Sequence, residues 1–287
     1  MAIVLSGKEV AAKINQETKE KTDQLRKKNI IPRLQIIRVG ERTDDVYYQK
    51  SLEKACEATG IDCSVKVLDE QIGQKGLEEQ LTKAADDPLI HGILLFSPLP
   101  KGYDLAAAVS LIPIAKDVDC LNPLSSGAIF TCCGDAYPPC TAAAVMEMLK
   151  FYGAELEGRA VTIVGRSLVV GKPLAMLLLA QNATVTIAHS YSEDLPAICR
   201  RADVVIAAAG RAKMFRGNFF TPGQVAIDVG INDDPDNPGH ICGDIEYETA
   251  EQIVAAISPV PGGVGSITSA ILCAHVADAC SKSSEQD

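Results

Sequence analysis

The chain has 287 residues, 47% of them apolar and 22% charged, enough for two hydrophobic cores because single domains usually run to roughly 100 to 200 residues. Its 27 basic and 37 acidic residues give a formal net charge of −10. No basic run or basic–aromatic interleaving occurs, which argues against nucleic acid as a partner.

The N-terminal MAIVLSGKEVAAKINQ does not read as a signal peptide; Ser6 with Glu9 three residues later forms a capping box that opens an amphipathic helix. No apolar run approaches the roughly 18 residues needed to cross a bilayer, so no membrane partner is expected. From Arg33 apolar runs alternate with helical patterns. RLQIIRVG, CSVKVLDE and IHGILLFS read as strands, separated by helices over DDVYYQKSLEKACEATGI and near Gly76 to Asp86. Such repetition implies a parallel sheet flanked by helices, with ligands at the carboxyl ends of the strands. Those ends are Val39-Gly40, Asp69 and the FSPLPKGYD loop, so they and the start of the Tyr48 helix are expected to share one cleft. On that helix Leu52 follows Tyr48 by one turn, whereas Lys50 lies three residues after Tyr47 and two after Tyr48.

After KDVDCLNPLSSG turn residues and cysteines predominate, and PPCTAAAVMEMLKFYG then reads as a bridging helix with Thr141 near its start. Beyond Gly158 the segments RAVTIVG, ATVTIAHS, DVVIAAAG, QVAIDVGIN and ICGD form a second alternating series, a cleaner doubly wound pattern than the first. The tail SITSAILCAHVADAC has helical spacing after the Gly-rich PVPGGVG and could fold back onto the first half. The ten cysteines show no CxxC pair and no zinc spacing, so reduced cytoplasmic thiols and no metal site are expected. The four histidines are dispersed, with no nucleophile motif beside them.

VTIVGRSLVVGKPLAMLLLA is a strand, a Gly-containing loop and a helix with Pro173 in its first turn. Gly165 and Gly171 allow close backbone approach, and the helix N-terminus offers free N–H groups to a phosphate. The position suits a dinucleotide, although the spacing is not GxGxxG and also fits an ordinary tight turn. The following strand ends in His189, Ser190 and Tyr191 without the acid that holds a ribose 2′-hydroxyl. That leans towards NADP, with Arg166 supplying charge and Ser190 a hydrogen bond to a 2′-phosphate. Glu193 and Asp194 follow closely and keep NAD as the alternative. Asp119, in AKDVDCLNP, is placed to accept two hydrogen bonds from an amino-pyrimidine ring, or is a solvated loop acid.

Taken in order, KACEATGI, KDVDCLNP, PPCTA, VGRSLVVGKPLAMLLLAQNATVTIAHS, AIDVGIN, GDIEYE and SPVPGGVGSIT resemble the methylenetetrahydrofolate dehydrogenase/cyclohydrolase (FolD) family over nearly the whole chain. The resemblance implies two α/β domains around a cleft, the C-terminal one a Rossmann-type doubly wound parallel sheet. It implies a folate-binding, catalytic domain over 1–140 and 267–287, completed by the C-terminal helix, and an NAD(P)-binding domain over 141–266. It further implies a homodimer that acts on tetrahydrofolate one-carbon derivatives. The implied reaction moves hydride from 5,10-methylenetetrahydrofolate to the nicotinamide, and bifunctional members then hydrolyse the methenyl cation to 10-formyltetrahydrofolate.

Residue by residue, Tyr48 matches the pocket tyrosine and Asp119 the acid that anchors the pterin. Phe96, Pro98, Leu99, Gly262, Gly263 and Thr268 fall at substrate-side positions. Thr141, Gly165, Arg166, Ser167, Val170, Gly171, Pro173, Ser190, Gly210, Gly230 and Ile231 fall on the cofactor side. The family's lysine four residues after the tyrosine is Leu52 here, and the Gln of its QLPLP loop is Phe96. PGGVGPMT has become PGGVGSIT, and PCTPxG has become PCTAAA. A lone buried ammonium or amide is costly whereas an apolar pair packs, so the double replacement is coherent. Dehydrogenase activity with weak or absent cyclohydrolase activity is therefore expected. A register shift pairing Tyr47 with Lys50 would bury the wrong face of the helix. The alternatives are a fully bifunctional enzyme, a non-catalytic folate- or nucleotide-binding homologue, and a two-domain dehydrogenase for another substrate.

Overall fold

The computed structural model describes residues 2–285. In chain order the first half contains β1 (Ile3–Val4), α1 (Gly7–Lys27), β2 (Arg33–Val39), α2 (Thr43–Thr59), β3 (Asp62–Leu68), α3 (Gly73–Asp86), β4 (Gly92–Leu95), α4 (Leu105–Val109) and α5 (Pro123–Thr131). It continues with α6 (Cys140–Phe151), β5 (Ala160–Val164), α7 (Gly171–Leu179), β6 (Thr184–Ala188), α8 (Leu195–Arg200), β7 (Val204–Ala207) and β8 (Val225–Asp228). The last elements are β9 (Asn232–Asp233), β10 (Ile241–Cys242), α9 (Tyr247–Ala250), β11 (Ala256–Ile257) and α10 (Thr268–Ser284).

Two compact units result: Met1–Ala11 with Thr141–Thr268, and Ala12–Cys140 with Ser269–Asp287. The expected division kept residues 1–140 together and needs correcting at the N-terminus. Ile3 and Val4 pair in parallel with Ala256 and Ile257, adding a strand to the later sheet. The Gly7 amide also donates to the Gly262 carbonyl at 2.8 Å. The second boundary moves from 266 to Thr268.

In the unit Ala12–Cys140 with Ser269–Asp287, the sheet order is β3-β2-β4, all parallel. β2 and β4 are buried on both faces, as strands covered by helices should be. Ile37, Val39, Leu77, Leu81, Ile93, Leu95 and Ile112 form one core cluster. α10 completes this unit: a β-carbon on Gly92 would lie 2.9 Å from Val276, His275 Nδ1 is 2.9 Å from the Val118 carbonyl, and Cys56 and Cys273 sulfurs are 3.9 Å apart. By length and composition the helical stretch Val264–Ser284 would suit a membrane, but 61% of its most apolar window is buried against its own protein. The apolarity of α10 is that of a core helix. The stretch after KDVDCLNPLSSG, read as turn residues and cysteines, begins inside α5, which opens with Pro123 in its first turn and the Asn122 side chain accepting from the Leu124 amide at 2.8 Å.

His275 ties α10 to the Asp119 segment and should give the unit a pH signature. Burial pushes its imidazole down to about 4, with Lys282 adding and the Val118 hydrogen bond and Asp278 opposing. Cys140 Sγ, 4.0 Å from Nδ1, and the Tyr137 ring also face it. A histidine depressed on folding contributes stability that is complete above its unfolded pKa and lost as pH falls. Unfolding followed by calorimetry should therefore show a loss of roughly 3 kcal/mol between about pH 6.5 and 4. His275→Asn keeps a donor for Val118 and should flatten that profile; an unchanged profile would refute the assignment.

In the other unit the sheet order is β1-β11-β8-β7-β5-β6, again all parallel. Phe215, Phe219, Phe220, Val205 and Ile257 lie in its core. ICGD was expected as another strand of this sheet. It forms β10, which pairs antiparallel with β9 in a separate hairpin, and the two-residue β11 takes the sheet position instead. Both sheets reverse direction of growth beside an inner strand: β5 is flanked by β6 and β7, and β2 by β3 and β4. Such switch points open a crevice at the carboxyl ends of the strands.

Candidate active site

In the unit Ala12–Cys140 with Ser269–Asp287, Tyr48, Leu52, Phe96, Pro98, Leu99 and Asp119 of the expected folate-side residues are found, whereas Gly262, Gly263 and Thr268 belong to the other unit. Phe96 follows β4, its amide donating to the Ile37 carbonyl at 2.9 Å. The Tyr48 and Phe96 rings lie 5.5 Å apart at an interplanar angle of 35°. Leu52, one turn further along α2, is fully buried, and Phe96 is 7% exposed. Tyr47 is 79% exposed and Lys50 is exposed, against 39% for Tyr48 and none for Leu52, so the Tyr48–Leu52 row runs from the surface into the unit. The buried Arg38 positions this helix: its Nε donates to Gln49 Oε1 at 2.8 Å, and its Nη1 binds the Gly40 carbonyl. The Ser97–Pro98 peptide is cis. Pro98 is exposed and its carbonyl accepts from Arg42 at 3.3 Å. Leu99 packs against the core, which makes it a support for the loop.

Asp119 is half-buried, and its Oδ1 accepts from the Cys140 amide at 2.9 Å. Burial raises its pKa, opposed by hydrogen bonds from the Cys140 amide and thiol. Burial likewise raises the Tyr48 phenol above its ordinary value, with Cys140, Asp119 and Cys273 adding to the effect. These groups therefore occupy one neighbourhood. Asp117 is a different case. It is fully buried and spends both oxygens on the Leu121 and Asn122 amides and the Ser125 hydroxyl, so it folds the loop. Cys140 is a site residue that the sequence did not single out; its place beside Thr141 at the start of α6 was the available signal.

In the other unit Gly165, Arg166, Ser167 and Ser190 line a cavity of about 330 Å³ at the β5–β7 switch point, together with His189, Ala208, Ala209, Arg211 and Met214. Gly165 has φ +146°, and a β-carbon there would overlap the Ala208 carbonyl. One on Gly171 would run into the Gly165 carbonyl and lie 2.9 Å from the Arg166 Cα. The loop is thus pressed against its neighbours, leaving the backbone itself as the cavity wall. Val170 and Gly171 begin α7, with Pro173 in its first turn, and the Ser167 hydroxyl accepts from the Val170 amide at 3.1 Å. A bare glycine cradle, a helix N-terminus and two guanidinium groups fit the pyrophosphate and ribose of a dinucleotide. Gly165→Ala should raise the dissociation constant for NADPH at least tenfold by fluorescence titration, roughly 1.4 kcal/mol or more; normal binding would show that the cradle is not the phosphate site.

Gly210, at φ +64°, donates its amide to Asp244 Oδ2 at 2.9 Å. That carboxylate also receives the Ala209 and Arg211 amides and the Asn232 side chain, which fixes the cavity floor. Asp228, at the end of β8, receives the Gly230, Asp244 and Ile245 amides. Burial, reinforced by Asp244, pushes its carboxyl up to about 7. Neither acid was singled out, although Asp244 directly follows Gly243 in GDIEYE and Asp228 stands two residues before Gly230 in AIDVGIN. Gly230 and Ile231 line a second cavity of about 230 Å³ with Gly262 and Gly263. Thr141 and Thr268 lie in neither cavity wall; the Thr268 hydroxyl donates to the Gly265 carbonyl at 3.2 Å.

Two family models account for most of the chain: residues 5–119 match the catalytic domain of tetrahydrofolate dehydrogenase/cyclohydrolase, and residues 139–284 match its NAD(P)-binding domain. The chain belongs to this family. It is 50% identical over 280 residues to the bifunctional protein FolD of Carboxydothermus hydrogenoformans, covering 98% of each chain. The crystal structure of the bifunctional FolD enzyme of Campylobacter jejuni is similar, with a TM-score of 0.95 and 36% identity over 98% of this chain and 99% of that one. So is the Trypanosoma brucei FolD complexed with NADP cofactor and inhibitor, with a TM-score of 0.92 and 34% identity over 99% and 98%. The NAD(P)-binding model runs on into α10, which in this family member packs with the folate-side unit.

Proposed function

We propose that this FolD-family chain is an NADP-dependent 5,10-methylenetetrahydrofolate dehydrogenase with little or no cyclohydrolase activity. The observation that carries the second half is the fully buried Leu52 one turn from Tyr48, with Phe96 against the Tyr48 ring at 5.5 Å. Hydride transfer asks mainly that two rings be held at reacting distance. When bound, NADP supplies the hydride acceptor at nicotinamide C4. Asp119 accepts hydrogen bonds from the pterin, while Tyr48 and the buried Phe96 give its ring an aromatic wall. The methylene carbon loses a hydride and becomes the methenyl cation, so no protein group has to move a proton. Hydrolysis differs, because water must be deprotonated as it adds and the ring nitrogen protonated as it leaves. Leu52 and Phe96 offer neither function.

Full bifunctionality is the rival reading, favoured by the names of the relatives. It would need another proton-transfer group at the one-carbon bridge, and Lys50, the nearest lysine to Tyr48 along the helix, lies off the Tyr48–Leu52 row. Adding the protein to methenyltetrahydrofolate and following its absorbance decides between them. Decay at the buffer rate supports the proposal; decay that scales with protein overturns it, and its loss in Lys50→Ala would assign the hydrolysis to that lysine. A protein that reduces neither NADP nor NAD with methylenetetrahydrofolate would be a binding homologue instead. We further propose a cytoplasmic homodimer, following the family and the ten free thiols; light scattering of the purified protein tests the assembly.

A further inference from the structure

We propose that Tyr191 is a positioning residue that holds Arg166 ready for a phosphate on the adenosine ribose, so that selectivity for NADP over NAD depends on the Arg166–Tyr191 pair. The proposal rests on the nucleotide half of the function proposed above. The Arg166 guanidinium carbon lies 5.7 Å from the centroid of the Tyr191 ring, within the range of a cation–π contact. Among the described residues no carboxylate forms an ion pair with Arg166, which leaves its donors for a phosphate. Arginine is suited to that task because its planar fork can stack on a ring and bind oxygens at the same time.

The tyrosine platform is itself braced. The Tyr191 amide donates to His189 Nδ1 at 3.2 Å, the His189 amide donates to Ser192 Oγ at 3.0 Å, and the Ser192 amide returns to the His189 carbonyl at 2.8 Å. The His189 ring stands edge-on to the Tyr191 ring at 6.2 Å. Tyr191 is 82% exposed, so its ring is held by this turn and not by a core. The nearby acids are accounted for. Asp194 caps α8 through the Ala197 amide at 3.1 Å, and Glu193 is exposed and outside the cavity wall. Arg211 lines the same cavity, so a phosphate there would meet a second guanidinium.

Calorimetric titration with adenosine 2′,5′-bisphosphate and with 5′-AMP isolates the 2′-phosphate from the rest of the nucleotide. Wild type should prefer the bisphosphate. Tyr191→Ala should weaken the bisphosphate about 2- to 5-fold, the size of an exposed cation–π contact, and leave 5′-AMP unchanged. Tyr191→Phe should retain the wild-type preference, and in an Arg166→Ala background Tyr191→Ala should cost nothing more. Equal weakening of both ligands, a Phe variant that behaves like Ala, a further loss without Arg166, or no preference in wild type would each overturn the proposal. The titration needs no folate. Failure of NADP reduction with methylenetetrahydrofolate would therefore sink the dehydrogenase reading while leaving this result to stand on its own.

Discussion

The double replacement Leu52→Lys with Phe96→Gln should raise methenyltetrahydrofolate hydrolysis by 10²- to 10⁴-fold over the unaltered protein, the range of a positioned acid–base group. Each single replacement should give little. Leu52 is fully buried, and an ammonium placed there alone loses its hydration without a partner, costing several kcal/mol or forcing the amine to stay neutral. Leu52→Lys should therefore melt well below the unaltered protein. Phe96→Gln alone trades a buried ring tilted against Tyr48 for an amide without a partner and should lose stability without gaining activity. Together the amide oxygen accepts from the amine, which restores part of the melting temperature. Non-additivity in both stability and rate is the signature of two groups that act as a unit. Additive effects, or a double variant no faster than buffer, would mean that the apolar wall is not what limits hydrolysis.

Asp119→Ala should lower kcat/KM for methylenetetrahydrofolate by 10²- to 10⁴-fold. Two hydrogen bonds to a carboxylate contribute about 1.5 to 3 kcal/mol each, and both are lost together. The Cys140 amide, now 2.9 Å from Oδ1, would also lose its acceptor. Binding of NADPH should be unaffected, because every residue of the glycine cradle belongs to the other unit. Asp119→Asn separates the two effects, since its amide keeps an acceptor for Cys140 but presents a donor or a weaker acceptor to the pterin. A variant at Asp119 with normal kcat/KM would reduce this residue to a loop acid like Asp117.

The strands legible in the sequence were those with long apolar runs. β2, β4, β5, β7 and β8 each pair over four or more residues and are largely buried, so their hydrophobic content is forced by burial, whereas β3 and β6 are mostly exposed edge strands marked by alternating Val, Ile and Thr. β1 and β11 are two residues long and carry no period to detect. They join the sheet because the pairing partner is already in place, which is a tertiary decision. ICGD resembled a strand of the main sheet for the same reason in reverse: two apolar positions fit either sheet. α5 was hidden by residues that favour turns and caps alike, and only Asn122 followed by Pro123 marked a helix start.

At the site, the Tyr48–Leu52 register was legible because a helix that buries one face cannot slip by a residue without exposing leucine. Gly165 and Gly171 were legible as close-approach positions, and the carbonyls they touch agree. The carboxylates Asp228 and Asp244 were not legible, because most of their partners are backbone amides 16 to 35 residues away, which leave no mark in residue identity. The same holds for the Arg166–Tyr191 contact, made across 25 residues of sequence by two exposed side chains.

The central claim is that the one-carbon bridge meets leucine and phenylalanine, so that oxidation proceeds and hydrolysis is left to solvent. The direct measurement is a single time course with methylenetetrahydrofolate, NADP and the purified protein, following NADPH and 10-formyltetrahydrofolate together. The account predicts that NADPH and the methenyl compound rise in step while the formyl product appears only at the rate seen in buffer. Formyl product rising in proportion to protein, alongside NADPH, would contradict it.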